Sequence, residues 1–260
     1  MKTLVIDISK WQKEVDYTQI KLDGQVAGVI LRCGYTGSAS RSLEVDELFH
    51  QHAQGFLRVG IPIGVYWYSR ATSMAEGKAE ALKTLEIIKN YRLDYPIYID
   101  VEDKIFQAKV SREILTSAVK SFCDTIEDAG YYTGIYASVS WFRDKLLTNP
   151  LNDYDKWVAH WGVDKPSYAL PYGMHQYTST GKVPGIAGDV DLNHCYKDYP
   201  MIMKVHGLNG YPKGDDIPTI PDADPVKQIK EWLELAHHHL EMAGSFIELA
   251  RAFTPEDKVQ

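Results

Sequence analysis

Short runs of apolar, largely β-branched residues alternate with amphipathic stretches over the first 200 positions. The runs fall at 4–8, 28–32, 62–68, 96–101, 133–137, 156–161 and 173–177, with a weaker eighth at 190–192. Helical spacing of apolar residues fills several of the gaps, at about 44–59, 74–91, 111–129 and 138–147. Near-continuous apolar strands separated by helices predict an α/β fold whose sheet is parallel and covered on both faces. Eight such strands suggest a closed TIM-like barrel. The last strands follow one another too closely for full helices, so the expectation is an irregular (β/α) barrel with eight strands and fewer helices.

The pattern changes after residue 203. Residues 1–203 read as one barrel domain. Residues 204–223 are rich in Gly, Pro and Asp and read as a linker. Asp224 and Pro225 then supply an N-cap and a proline at the first helical position. From there Val226, Ile229, Leu233, Ala236, Leu240, Ala243, Ile247 and Ala250 recur at alternating spacings of three and four. That heptad pattern predicts that 224–260 is a C-terminal amphipathic helical segment, with residues 224–253 serving homo-oligomer formation, docking on the barrel, or contact with a wall. The flanking Trp232, Phe246 and Phe253 make the apolar surface wider than a two-stranded seam.

Composition narrows the partners. A formal net charge of −7 gives no sign of nucleic acid binding, and no run is long enough to span a bilayer, so no membrane insertion is expected. The segment before Asp7 is too short for a signal-peptide core, so the reading is a protein made in the cytoplasm without an export signal. Cys33, Cys123 and Cys195 are odd in number and lack close pairing, and read as reduced thiols. His237, His238 and His239 point in different directions around a helix, unlike an i, i+4 metal pair, so neither metal nor cofactor is expected.

Candidate chemistry lies in carboxylates. The run 96–101 leads into Asp100 and Glu102, two apart and so on one face of a strand. Asp7 ends the first run, and Asp191 lies in the last. In barrel enzymes the chemistry collects at the C-terminal ends of strands. Four acids converging there repel one another, and at least one should hold its proton, as glycosidic cleavage requires of its acid. The distance between residues two apart on a strand suits either a retaining or an inverting arrangement.

The order and spacing of Asp7-Ile-Ser-Lys-Trp-Gln12, Arg32 with Gly34-Tyr35, Gly64-Val-Tyr-Trp-Tyr68, Asp100-Val-Glu102, Gly134-Ile-Tyr136, Trp157-Val-Ala-His-Trp161, Gln176-Tyr177 and Asp191-Leu-Asn193 resembles the glycoside hydrolase family 25 lysozymes over about residues 3–200. These are muramidases common among phage endolysins and bacterial autolysins. The resemblance implies a peptidoglycan substrate cut between N-acetylmuramic acid and N-acetylglucosamine, with retention. It implies Glu102 as general acid, and Asp100 acting at the anomeric carbon or orienting the 2-acetamido group. Asp7 and Asp191 would line the floor. Tyr66, Tyr136, Trp161, Tyr35, Arg32 and Gln176 would contact the sugar. A phage endolysin acting on a Gram-positive wall after membrane permeabilisation is the expected setting, with a bacterial autolysin as the alternative. The rival enzyme is a chitinase-like barrel, which also ends a strand in Asp-x-Glu, but residues 94–102 lack the further aspartates that usually precede that motif. A non-catalytic sugar-binding module is the rival from another class.

Overall fold

The computed structural model describes residues 2–212 of the 260-residue chain. The helical segment expected at 224–253, and most of the expected linker, lie outside the described residues.

The strands β1 (Thr3–Ile8), β2 (Val26–Thr36), β4 (Ile63–Tyr68), β5 (Ile97–Asp100), β6 (Thr133–Ser138), β7 (Asp155–Ala159), β8 (Met174–Gly181) and β9 (Val190–Cys195) form a closed ring, with β1 bonded to both β2 and β9. A short strand β3 (Leu43–Val45) pairs antiparallel with the end of β2 outside the ring. Pairing is parallel from β1 through β2, β4, β5, β6 and β7 to β8. The eighth position breaks this. β9 runs antiparallel to both β8 and β1, so the all-parallel sheet expected from the apolar runs is a mixed one. The physical cause is connection length: no helix intervenes between β8 and β9, and a chain that turns back directly must pair antiparallel.

Helices α1 (Tyr17–Asp23), α2 (Phe49–Arg58), α3 (Met74–Ile88), α4 (Arg112–Asp128), α5 (Val139–Asp144) and α6 (Tyr199–His206), with 3-10 turns at Gln107–Lys109 and Asn149–Leu151, complete the described elements. Side-chain oxygens of Ser73, Ser111 and Ser138 accept the backbone N–H three residues on and so start α3, α4 and α5. Two helical expectations are corrected. Residues 43–45, assigned to or next to a helix at 44–59, form β3, and α2 begins only at Phe49. The boundary at 203 is also too early: α6 crosses it, and Tyr199 and Met203 pack into the lower end of the barrel. Beyond α6, the fully buried Asn209 donates to the Tyr95 carbonyl at 2.9 Å and accepts from the Tyr132 N–H at 2.8 Å. Residues 204–211 therefore belong to the barrel.

Strand alternation sorts side chains into two apolar sets. One, including Ile6, Ile8, Val29, Leu31, Val65, Ile99, Val119, Phe122 and Ile135, lies between the strands and the helices. The other, with Val5, Ile30, Tyr98, Tyr136, Trp157, Met174 and Cys195, fills the barrel interior. Trp157 is its centre: its indole lies edge-on to Tyr136 at 4.5 Å and within 6.1 Å of Tyr66 and 5.1 Å of Tyr98. The core is thus filled by rings up to a floor just below the strands' upper ends. The three cysteines are buried and unpaired, and burial raises the Cys33 thiol to about 12 and Cys195 to about 11, keeping both protonated.

Candidate active site

The four acids meet on that floor. Asp7, Asp100, Glu102 and Asp191 line one small depression with Tyr66, Tyr136, Trp157 and Gln176. Asp7 and Asp100 come from the C-terminal ends of β1 and β5. Asp191 arrives differently from the expected strand terminus. It is the second residue of β9, and because β9 runs backwards, its start lies at the same rim, where Asp191 faces Asp7 in register. Glu102 is also displaced from its expected place on a strand: β5 ends at Asp100, the Val101 N–H still bonds the Tyr136 carbonyl at 2.9 Å, and Glu102 stands on the turn beyond.

Exposure separates the acids. Asp7 and Asp100 are buried, at 4% and 5%, Asp191 is half-buried, and Glu102 reaches solvent. Desolvation is the first cause of a raised pKa at all four. The rise is large at Asp7 and Asp100, the two buried acids. The Asp191 charge then raises Asp7, and the Glu102 charge raises Asp100 against a lowering pull from Arg32. At Glu102, the nearby Asp191 adds to desolvation while Lys104 opposes it. Although Glu102 touches solvent, the cleft walls and neighbouring charges still hold it above the ordinary carboxyl range.

A buried amide pair holds Asp7. Gln176 accepts from the Tyr136 hydroxyl and the Trp161 indole N–H, both at 2.9 Å, which leaves its amide N–H to donate to Asp7 Oδ2 at 3.0 Å. Asn193 accepts from the Trp157 indole at 2.7 Å and donates to the same Asp7 oxygen at 2.9 Å. Two donors occupy Oδ2, which leaves Oδ1 free to carry a proton, and the Asp191 contact raises Asp7 while opposing the rise that burial gives Asp191. Asp100 Oδ1, by contrast, is buried without a hydrogen-bond partner among the described residues.

The expected sugar contacts divide. Two larger cavities, arms of the site, accompany the floor. One, a cavity of about 560 Å³, shares Glu102 and Tyr136 with the floor and is walled by Lys104, Trp141, Arg143, His160 and Trp161. The other, about 340 Å³, is walled by Lys10, Trp11, Arg32, Tyr35, Tyr68 and Arg70. The floor itself is far too small for a sugar, so a bound glycan would lie over the acids and along both arms. Trp161, 56% exposed, and the half-buried Tyr35 and Tyr66 present ring surface there. Gln176 is 2% exposed on the floor, and its bonds to Tyr136, Trp161 and Asp7 make it a group that orients Asp7. Tyr136 is buried too, with its hydroxyl committed to Gln176. Arg32 is tied to the buried Asp46 by its Nε at 2.7 Å, so only part of its guanidinium faces the arm.

Sequence reasoning assigned no role to Asn193, Asp46, Trp11, Tyr68 or Trp141. Asn193 follows Asp191 by two and so shares its face, a signal that was available. Nothing local marks Asp46. Among the described residues no three His, Cys, Asp or Glu side chains gather as a metal site, and no helix is long and apolar enough to cross a membrane.

Compared with known proteins, residues 6–186 match the family described as Glycosyl hydrolases family 25. The autolytic lysozyme of Clostridium acetobutylicum is 29% identical over 188 residues, covering 72% of this chain and 54% of that protein. Among solved structures, the modular autolysin LytC of Streptococcus pneumoniae superposes with a TM-score of 0.67 at 29% identity, over 75% of this chain and 47% of its own. The catalytic domain of the endolysin ply40, from a bacteriophage of Listeria monocytogenes, gives a TM-score of 0.64 at 30% identity, over 78% of this chain and 97% of that domain. The chain thus spans about half the length of the first two relatives and nearly all of the third.

Proposed function

The chain belongs to glycosyl hydrolases family 25, and on that premise we propose that it is a muramidase, cleaving the β-1,4 bond between N-acetylmuramic acid and N-acetylglucosamine in peptidoglycan. The observation that carries the proposal is the floor of four carboxyls with raised pKa values, of which Glu102 is the exposed one and also lines the adjoining cavity of about 560 Å³.

In this reading Glu102 is the general acid. It gives its proton to the glycosidic oxygen as the bond from the anomeric carbon breaks, and positive charge spreads over that carbon and the ring oxygen. Asp100, below it, faces that charge. The unpartnered Oδ1 supports a second task, accepting the N–H of the 2-acetamido group so that the acetamide oxygen can approach the anomeric carbon; direct attack by Asp100 is the alternative. Either way, a water then adds at that carbon and returns a proton to Glu102. Asp7 and Asp191, sharing one proton, keep the floor from carrying four charges at once. Digestion of purified Gram-positive peptidoglycan followed by borohydride reduction tests the bond assignment. Muramitol is the expected product; glucosaminitol without muramitol would assign a glucosaminidase instead.

The relatives bear on the setting. Coverage of almost the whole ply40 catalytic domain supports a phage endolysin that lyses Gram-positive walls from within, after the membrane is opened. Bacterial autolysis is the second reading, favoured by the likeness to the two autolytic enzymes. Expression in a Gram-positive host distinguishes them: the endolysin reading expects lysis only after the membrane is permeabilised, and lysis on expression alone would remove it.

A further inference from the structure

The acid stands where the barrel's own hydrogen bonding has stopped. The Val101 N–H makes the last ladder bond, so the sheet does not hold the backbone of Glu102. Directly beyond Glu102 lies a buried polar cluster that the proposed chemistry leaves unused. Asp103, 2% exposed, accepts the backbone N–H of Ile105 at 3.0 Å and of Phe106 at 2.6 Å on Oδ1, which closes the turn on itself. Its Oδ2 accepts from Arg70 Nε at 2.9 Å. Its own N–H donates to Gln107 Oε1 at 3.1 Å, and Gln107 donates in turn to Ser69 Oγ at 3.1 Å.

Behind these lies Glu80 of α3, 1% exposed, which accepts from Thr36 Oγ1 and Ser69 Oγ at 2.6 Å each and from the Arg70 N–H at 3.1 Å. Arg70 completes the circuit by donating to the Thr36 carbonyl and lying over the Tyr68 ring at 4.8 Å. Three separate pieces of chain, the ends of β2 and β4 and the middle of α3, thus converge on the residue next to the acid. One edge of Arg70 also lines the second arm of the cleft.

We propose that the Asp103–Arg70 ion pair, braced by Gln107, Ser69 and Glu80, is a positioning device that aims the Glu102 carboxyl at the glycosidic oxygen. The inference rests on Glu102 being the acid of the proposed muramidase. A turn held only by its own backbone would let that carboxyl wander, and a displacement of about 1 Å from a productive geometry can cost 10²-fold in rate. The same ion pair acts through charge: Asp103 is one of the groups that hold the Glu102 proton. The others facing Glu102 are Asp191 of β9, Asp100 of β5, Tyr68 of β4, Tyr136 of β6, Lys104 on its own turn, and Arg143 and His160 across the arm.

Two variants test this. Asp103→Asn keeps the shape and the Oδ1 acceptor but removes the charge. Its kcat on soluble glycan should fall about 10- to 100-fold with KM within about twofold. Its alkaline limb should move to lower pH, because Glu102 loses a repelling anion and gains an unneutralised Arg70. Arg70→Lys keeps the charge and loses the fork, so it should lower kcat while leaving that limb in place. NMR titration of the Glu102 carboxyl, assigned through Glu102→Gln, reads the shift without turnover. If the wild type releases no sugar, the muramidase reading fails, while an Asp103-dependent Glu102 titration still supports the coupling. Unchanged kcat and titration in Asp103→Asn overturns the proposal. So does a loss of activity in either variant that is fully matched by a loss of folded protein.

Discussion

Glu102→Gln should yield a folded protein that cleaves peptidoglycan about 10³-fold more slowly than the wild type, within the 10²–10⁴-fold range general acid catalysis supplies. The amide has the shape of the acid but cannot deliver a proton to the departing oxygen. Because Glu102 reaches solvent and makes no internal hydrogen bond that the amide would break, the melting temperature should equal the wild-type value or rise slightly as a repelling charge leaves the floor. The wild-type pH profile carries the same information. Activity should fall as pH rises through the raised pKa of Glu102, since only the protonated form is competent. In the variant that limb should vanish from the residual rate. Turnover by purified, folded Glu102→Gln within tenfold of wild type would remove Glu102 from the role of acid.

Asp100→Asn should move activity and stability in opposite directions. Turnover should drop about 10²-fold or more, because the carboxylate that faces the developing charge is gone. Stability should rise at neutral pH. Burial, then Glu102 and Asp7, push the folded-state pKa of Asp100 well above the ordinary carboxyl value. A carboxyl raised in this way binds its proton more tightly folded than unfolded. Its favourable contribution is therefore complete below the unfolded pKa of about 3.9 and is lost as pH rises through the folded value. Asparagine does not titrate and escapes that loss. The melting-temperature difference, variant minus wild type, should thus be smallest in acid and grow towards neutral pH. A difference that stays flat across this range would show that Asp100 is not held protonated by its site.

The sequence alone carried the strand and helix periods. Each apolar run at 4–8, 62–68, 96–101 and 133–137 coincides with a barrel strand, and the helical spacing at 74–91, 111–129 and 138–147 coincides with α3, α4 and α5. The four acids were legible for the same reason: each sits where an apolar run meets polar residues, and such boundaries in a barrel lie at its rim. These are local facts, written in a face's burial and in the residue that ends it.

Ring closure decided the rest. The three positions at 190–192 say only that a strand exists; the short connection from β8 turns β9 back, and pairing with both β8 and β1 brings Asp191 opposite Asp7. Leu43 and Val45 alternate over too few residues to distinguish a strand from a helix, and only pairing with β2 settled them. Gln176 and Arg32 were expected to contact the sugar only because the family resemblance implies it. Their actual partners, Asp7 at 169 positions' distance and Asp46 at 14, are set by which strands become neighbours. A hydrogen bond between side chains leaves no periodic trace in either segment. It exists only once the barrel fixes their register, and that is why the acids could be read from the chain while the network that orients them could not.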